Sequence, residues 1–217
     1  ASSVLGDDVD AEGDALTVSS IRTGNVAATD GAQGEIGSTL VGAYGVLTLN
    51  ADGQYSYTTT ASAVDGLAAG ATAVDVFTYT ITDGALSASA ELLITVTGVN
   101  DAPVAVADTL DATEDTPETY TAAQLVGNDT DVENSELSLS SVTSGSNGTA
   151  VLNADGTVTF TPNADYAGAA DFTYIVNDGT ADSTSAATVT VNVGVVNDAP
   201  VAVADTLDAT EDTPETY

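Results

Sequence analysis

The chain has no cysteine, histidine, tryptophan, methionine or lysine, and its one basic residue, Arg22, stands against 33 acidic residues for a formal net charge of -32. Each absence removes a class of chemistry. Without Cys and His there is no disulfide staple, no thiol nucleophile, no zinc site of sulfur and nitrogen ligands and no imidazole acid/base. Without Lys there is no Schiff base. Without a basic face, counterion release cannot drive nucleic-acid binding, and anionic lipid surfaces repel the chain. No apolar run approaches the roughly 20 residues that cross a bilayer, so membrane insertion is not expected. The opening ASSVLGDDVD has neither the basic start nor the apolar stretch of a secretory signal, and the chain reads as an excised fragment.

What is there supports folded domains. The 217 residues are 43% hydrophobic, enough to bury a core where acidic chains of low hydrophobicity stay disordered, and the length suits two domains. Almost no acid has a cation within the chain to pair with. Folding at this charge calls for cations from outside.

An internal repeat sets the organisation. VNDAPVAVADTLDATEDTPETY occurs from Val99 to Tyr120 and again from Val196 to Tyr217, identical at all 22 positions and offset by 97. A divergent relative of the same unit precedes the first copy. LGDDVDAEGDALTVSS from Leu5 aligns with VGNDTDVENSELSLSS from Val126, LTLNADGQYSYT from Leu47 with AVLNADGTVTFT from Ala150, and FTYTITDG from Phe77 with FTYIVNDG from Phe172. The stretch from Gly24 to Gly45 reads as a long insertion or an added hairpin. These alignments divide the chain into residues 1–99, a repeat lacking its opening segment; 100–196, a full repeat; and 197–217, the opening strand segment of a further one.

Alternation of apolar and polar residues around Asp52-Gly53 and Asp155-Gly156 predicts two hairpins with Asp-Gly turns. FTYTITDG, ELLITVTG, FTYIVNDG and ATVTVNVG alternate as well and are rich in β-branched and aromatic residues. No helical period competes. Short strands divided by Gly, Asp and Asn turns predict an all-β chain of tandem antiparallel β-sandwiches of the immunoglobulin or cadherin kind.

The chemistry-bearing pattern is carboxylates at alternate positions: Asp8, Asp10, Glu12 and Asp14 in the first unit, Asp129, Asp131 and Glu133 in the second. In extended chain alternate side chains project to one side, which stacks like charges. A Ca2+ ion, which takes six to eight oxygens in flexible geometry, turns that repulsion into coordination. One acidic loop alone is a solvated turn or a salt adaptation; its recurrence in both units, near Asn100-Asp101 and Asn197-Asp198, favours calcium. Asp83-Gly84 and Asp178-Gly179 fall at strand ends, and Glu114-Asp115 lies in the opening segment. An EF-hand is excluded, because the position of its bidentate Glu is Ser19 and the flanks are strand-like.

GVLTLNADGQYSYT, VDVFTYTITDGALSASAELLITVTGVNDAP, VAVADTLDATEDT, LVGNDTDVENSELSLSS and DFTYIVNDGT together resemble the tandem cadherin-like and VCBS-type repeats of giant bacterial surface adhesins, including the extender regions of RTX adhesins. The resemblance implies calcium held at each junction by an Asn-Asp linker, an Asp-x-Asp loop of the following domain and a Glu near the first strand. Carried onto this chain, it names Asn100, Asp101, Asp129 and Asp131, with Asp178, at the internal junction, and Glu114, Asn197 and Asp198 at the next. Asp8, Asp10 and Glu12 belong to a site whose upstream half is missing. Glu133 extends the Asp129–Asp131 row. The linker is shorter and less acidic than in animal cadherins.

The function expected is a calcium-stabilised spacer of an extracellular bacterial surface adhesin, serving cell adhesion or biofilm formation, with adjacent repeats as partners. Its phase also suggests head-to-tail self-association into a filament, the 197–217 segment adding a strand to another copy's first unit. A calcium-dependent carbohydrate- or peptide-binding module is the alternative. An enzyme is not expected, since Ser and Thr have no His or Lys to activate them.

Overall fold

The computed structural model describes residues 3–206 and residue 211; positions 207–210 and 212–217 of the expected final strand segment lie outside the described residues. The first sandwich is built from β1 (Thr17–Thr23), β2 (Gln33–Gly34), β3 (Thr39–Val41), β4 (Gly45–Leu49), β5 (Tyr55–Thr59), a short helix α1 (Ala61–Val64), β6 (Thr72–Thr82) and β7 (Ser87–Thr97). Its sheets run β2-β1-β6-β7 and β3-β4-β5. Ile21, Leu40, Leu47, Leu49, Phe77 and Tyr79 fill the space between them.

The second sandwich comprises β8 (Asp108–Thr113), β9 (Glu118–Tyr120), α2 (Ala122–Leu125) running into a 3-10 turn at Val126–Asn128, β10 (Ser138–Ser144), β11 (Gly148–Leu152), β12 (Val158–Pro162), β13 (Gly168–Asn177) and β14 (Ala187–Gly194). Its sheets are β10-β13-β14-β8 and β11-β12-β9. A separate core of Leu125, Val158, Phe160, Phe172, Val176, Val189 and Val191 lies between them, with Phe160 and Phe172 stacked at 5.9 Å. Among the described residues no helix is long and apolar enough to cross a membrane.

Local chemistry explains the shared frame. Gly53 and Gly156 adopt φ of 82° and 83°, the left-handed region where a side chain is strained, and the preceding Asp52 and Asp155 accept the amides of Gln54 and Thr157. The two expected Asp-Gly hairpins, β4–β5 and β11–β12, form on them. Both sandwiches also carry a register shift at the same place, between Val18 and Ser20 and between Leu139 and Ser141. The pairings are antiparallel except β14 with β8, which is parallel; these two strands are joined only through the rest of the domain, the long connection that parallel pairing requires.

The insertion at Gly24–Gly45 does not fold as a hairpin paired on itself. Its strands extend different sheets, β2 on β1 and β3 on β4. Asp75 explains the division. Its carboxylate, 3% exposed, accepts the amides of Ala43 and Tyr44 at 3.0 and 3.1 Å and the Tyr57 hydroxyl at 2.8 Å, tying the end of the insertion to β6.

Candidate metal centres

The two acidic loops are built alike. Asp10 Oδ1 accepts the amides of Glu12 and Asp14, both at 2.9 Å, and Asp131 Oδ1 accepts the amide of Ser135 at 2.8 Å. Gly13 and Asn134, aligned positions, both turn through positive φ to close these loops, at 82° and 58°. Each loop thus spends one oxygen of its central Asp on the backbone. In the second unit the other oxygen, Asp131 Oδ2, is buried without a hydrogen-bond partner, and so is Glu133 Oε2. Buried carboxylate oxygens without donors are costly, and Arg22, the chain's one basic side chain, is engaged elsewhere, donating to the carbonyls of Thr23 and Val26. A hard cation is the group this all-oxygen set fits.

The linker closes onto the same place. The Asn100 side chain donates at 2.8 Å to Asp178 Oδ2 and to the Asp101 carbonyl, and the Asp101 amide donates to Glu133 Oε1 at 3.0 Å. Asp178, at the end of β13, accepts the amides of Thr180 and Ala181 at 2.6 Å, and these amides with Asn100 hold its carboxyl below the usual range. Asp83, the aligned residue at the end of β6, accepts Ala85 and Leu86 at 2.6 and 2.7 Å and is held low by those amides. Asp65, just after α1 of the first sandwich, lines one cavity with Asp101 and Asp131.

A second group lies at the far end of the second sandwich. Glu114, 5% exposed, accepts the amide of Val196, and Asp115 accepts the amide of Asp165 at 3.0 Å. Carboxylate oxygens of Asp115, Asp165 and Asp198 lie within 4.8 Å of one another, the one such group among the described residues. Loss of water around Asp198 raises its carboxyl from the ordinary value, and the charges of Asp115, Asp165 and Glu114 raise it further. Asn197 donates to the Asp198 carbonyl at 3.2 Å, as Asn100 does to that of Asp101.

Asp8 and Asp129 are held differently from the rest of their rows. Asp8 accepts the Tyr79 hydroxyl at 3.3 Å, and Asp129 accepts the Tyr174 hydroxyl at 3.2 Å and the Val106 amide at 2.6 Å. Burial raises the Asp129 carboxyl and pushes the Tyr79 hydroxyl up to about 12, with the charge of Asp8 adding to the latter. Both carboxylates pin the start of their loop to the sandwich.

The sequence pattern marks Asp83 at a strand end and Asp115 in the opening segment without naming either as a ligand, and it does not single out Asp65 or Asp165. The signal for them was weak but present, since Asp65 and Asp165 both follow the second strand of the Asp-Gly hairpin and Asp83 aligns with Asp178.

A model of bacterial cadherin-like domains matches residues 1–98, and a cadherin-like domain model matches residues 99–194. Among solved structures, a two-repeat fragment of human protocadherin-24 is 13% identical, with 87% of this chain and 86% of that one covered and a TM-score of 0.48. Protocadherin gamma B7 repeats 1–4 are 17% identical, covering 88% of this chain and 48% of that one at a TM-score of 0.41. An endo-fucoidan hydrolase of glycoside hydrolase family 107 is 23% identical, covering 86% of this chain at a TM-score of 0.32, and the chain spans only 24% of its length. No curated protein matches the chain.

Proposed function

The chain is a tandem of two cadherin-like domains, the first matching the bacterial cadherin-like type, and from that premise we propose that it is a calcium-stabilised extracellular spacer from a bacterial surface adhesin, extending an adhesive end away from the cell. Domains of this family generally serve adhesion or extracellular structure and not catalysis. The observation that carries the calcium reading is the pair of buried carboxylate oxygens, Asp131 Oδ2 and Glu133 Oε2, left without donors beside the linker.

At the internal junction Asn100, Asp101, Asp131, Glu133 and Asp178 would hold the ion, with Asp65 reaching it from the preceding sandwich. Glu114, Asp115, Asp165, Asn197 and Asp198 would form half of the next junction, and Asp10, Glu12 and Asp83 the complementary half of another. Bound calcium supplies positive charge and flexible oxygen coordination. The chain's own residues do the rest. Asp10 and Asp131 shape the loops, Asn100 and Asp101 fasten the linker to the following sandwich, and Asp8 and Asp129 brace the loops from behind.

Binding to the folded state alone stabilises it, and a neutralised junction resists bending. Small-angle scattering and thermal melting, each in calcium and in chelator, test the reading together. Calcium should raise the melting temperature and lengthen the particle; identical curves in the two buffers would reject it.

A further inference from the structure

The run Val-Asn-Asp-Ala-Pro joins the two sandwiches at residues 99–103 and recurs at 196–200. From its asparagine onward the first copy is fastened to the sandwich that follows. Asn100 donates to Asp178 at 2.8 Å, and the Asp101 amide donates to Glu133 at 3.0 Å. Pro103 is fully buried. Val104 and Thr130 exchange both backbone hydrogen bonds, at 2.8 and 3.1 Å, and the Val106 amide donates to Asp129 at 2.6 Å. None of these bonds involves a metal.

Before the asparagine, the chain is fastened to the sandwich that precedes. The Gly98 amide donates to the Ala71 carbonyl at 2.8 Å, and the Gly98 carbonyl accepts from Gly70 at 3.0 Å. A side chain at Gly98 would strike the carbonyls of Leu67 and Ala68, so this residue is locked in place. The second copy of the run shows the same division. The Val196 amide donates to Glu114 of the preceding sandwich, and the Glu114 amide donates to the Gly194 carbonyl at 3.0 Å. Glu114 lies in the opening segment of its unit, so a hold from such a segment falls on the valine and stops short of the asparagine.

Between the two sets of holds stands Val99, 78% exposed. Among the described residues no hydrogen bond joins residues 3–98 to residues 100–206. What meets across the step is Asp65 with Asp101 and Asp131 around one cavity, like charges that repel without a cation between them.

We propose that each junction is a hinge one residue wide: the linker Asn100–Val106 stays fixed to the following sandwich with or without a metal, and bending is confined to the dihedrals of Val99 and the φ of Asn100. The planar peptide between them leaves no other soft rotation. The aspartate of the run sits astride this hinge. Asp101 ties its amide forward to Glu133, and its counterpart Asp198 holds its carboxylate backward, beside Asp115 and Asp165. The inference rests on the calcium reading only for what closes the hinge; the docking of the linker is the chain's own. A tandem array built this way articulates at one step per repeat and is stiff between steps.

Residual dipolar couplings of the full chain, measured in calcium and in chelator, test the hinge. In chelator the two sandwiches should align independently, while the amides of Asp101, Val104 and Val106 share the alignment of the second. Those amides should also exchange at least about ten-fold more slowly than in a free peptide of residues 99–106. Val99→Gly, which frees the backbone, should lower the order between the sandwiches further in chelator, whereas Ala102→Gly should leave it unchanged. Neither position belongs to a core, so both variants keep the fold. Linker couplings that average towards zero in chelator would overturn the proposal. So would one alignment shared by both sandwiches in chelator, or a larger effect of Ala102→Gly than of Val99→Gly. Independent alignment that persists unchanged in calcium would uphold the hinge and reject the calcium reading.

Discussion

Asn100 donates a 2.8 Å hydrogen bond to Asp178 across 78 positions of sequence, joining the linker to the loop that ends β13. The bond consumes one oxygen of a carboxylate whose other oxygen is already capped by two amides. The linker is therefore docked on the second sandwich by uncharged donors. The buried oxygens left without a donor at this junction belong to Asp131 and Glu133.

Substituting these two residues separates metal binding from folding. Asp131→Asn and Glu133→Gln should each lose most of the stabilisation that calcium confers, about 2.7 kcal/mol at a hundredfold excess over Kd. In chelator they should melt no lower than the parent, because each removes a negative charge from a repelling cluster. Paired calorimetric melts read both numbers.

Asp75 is a buried carboxylate with three donors around it. Asp75→Ala leaves the amides of Ala43 and Tyr44 and the Tyr57 hydroxyl without their acceptor, which should destabilise the first sandwich by about 1–3 kcal/mol. The second sandwich should melt unchanged. Hydrogen exchange at Ala43 and Tyr44 should quicken, and unaltered exchange there would disprove the tether.

The Tyr174 hydroxyl lies 2.8 Å from Asp108 Oδ2 and 2.9 Å from the Leu125 carbonyl as well as beside Asp129. Burial raises the Asp108 carboxyl, the nearby charge of Asp129 adds to the rise, and the tyrosine bond opposes it. Tyr174→Phe removes the shared donor and should cost about 1–3 kcal/mol. Tyr79→Phe, whose hydroxyl meets only Val4 O and Asp8 Oδ2, both at 3.3 Å, should cost less. Denaturant unfolding of the two variants compares them directly.

Alkaline pH should unfold both sandwiches through their buried tyrosines. Burial pushes Tyr79 and Tyr120 from 10.0 up to about 12, one in each core. A hydroxyl that holds its proton more tightly when folded contributes stability that is complete below pH 10 and is lost as the pH rises towards 12. Tyr120→Phe should lessen that loss in the second sandwich, where Tyr174, raised further by burial and by Asp108, keeps the remainder, and should leave the first unchanged. Melting temperature against pH, followed with tyrosinate absorbance, gives the answer.

The strands were legible because their information is local. Phe172-Thr-Tyr-Ile-Val alternates along one strand, and Asp155-Gly156 turns the chain within four residues. Asp131 and Glu133 could be singled out for the same reason, lying two residues apart in one loop. Asp65 and Asp165 could not, since what gives them meaning is a carboxylate more than thirty residues away on a different element. Asp129 shows the opposite case: spacing alone groups it with Asp131, whereas the fold turns its carboxylate to Tyr174.

Composition and pattern by themselves determined an acidic, all-β, repeating chain, because periodicity and charge are properties of neighbours in sequence. Only the tertiary structure decided which carboxylate oxygens are left without donors and which strand edges stand open. Both depend on how distant segments pack: Asn100 against Asp178, Asp115 beside Asp165 and Asp198, and β8 over β14 with nothing in the described residues to match it over β7.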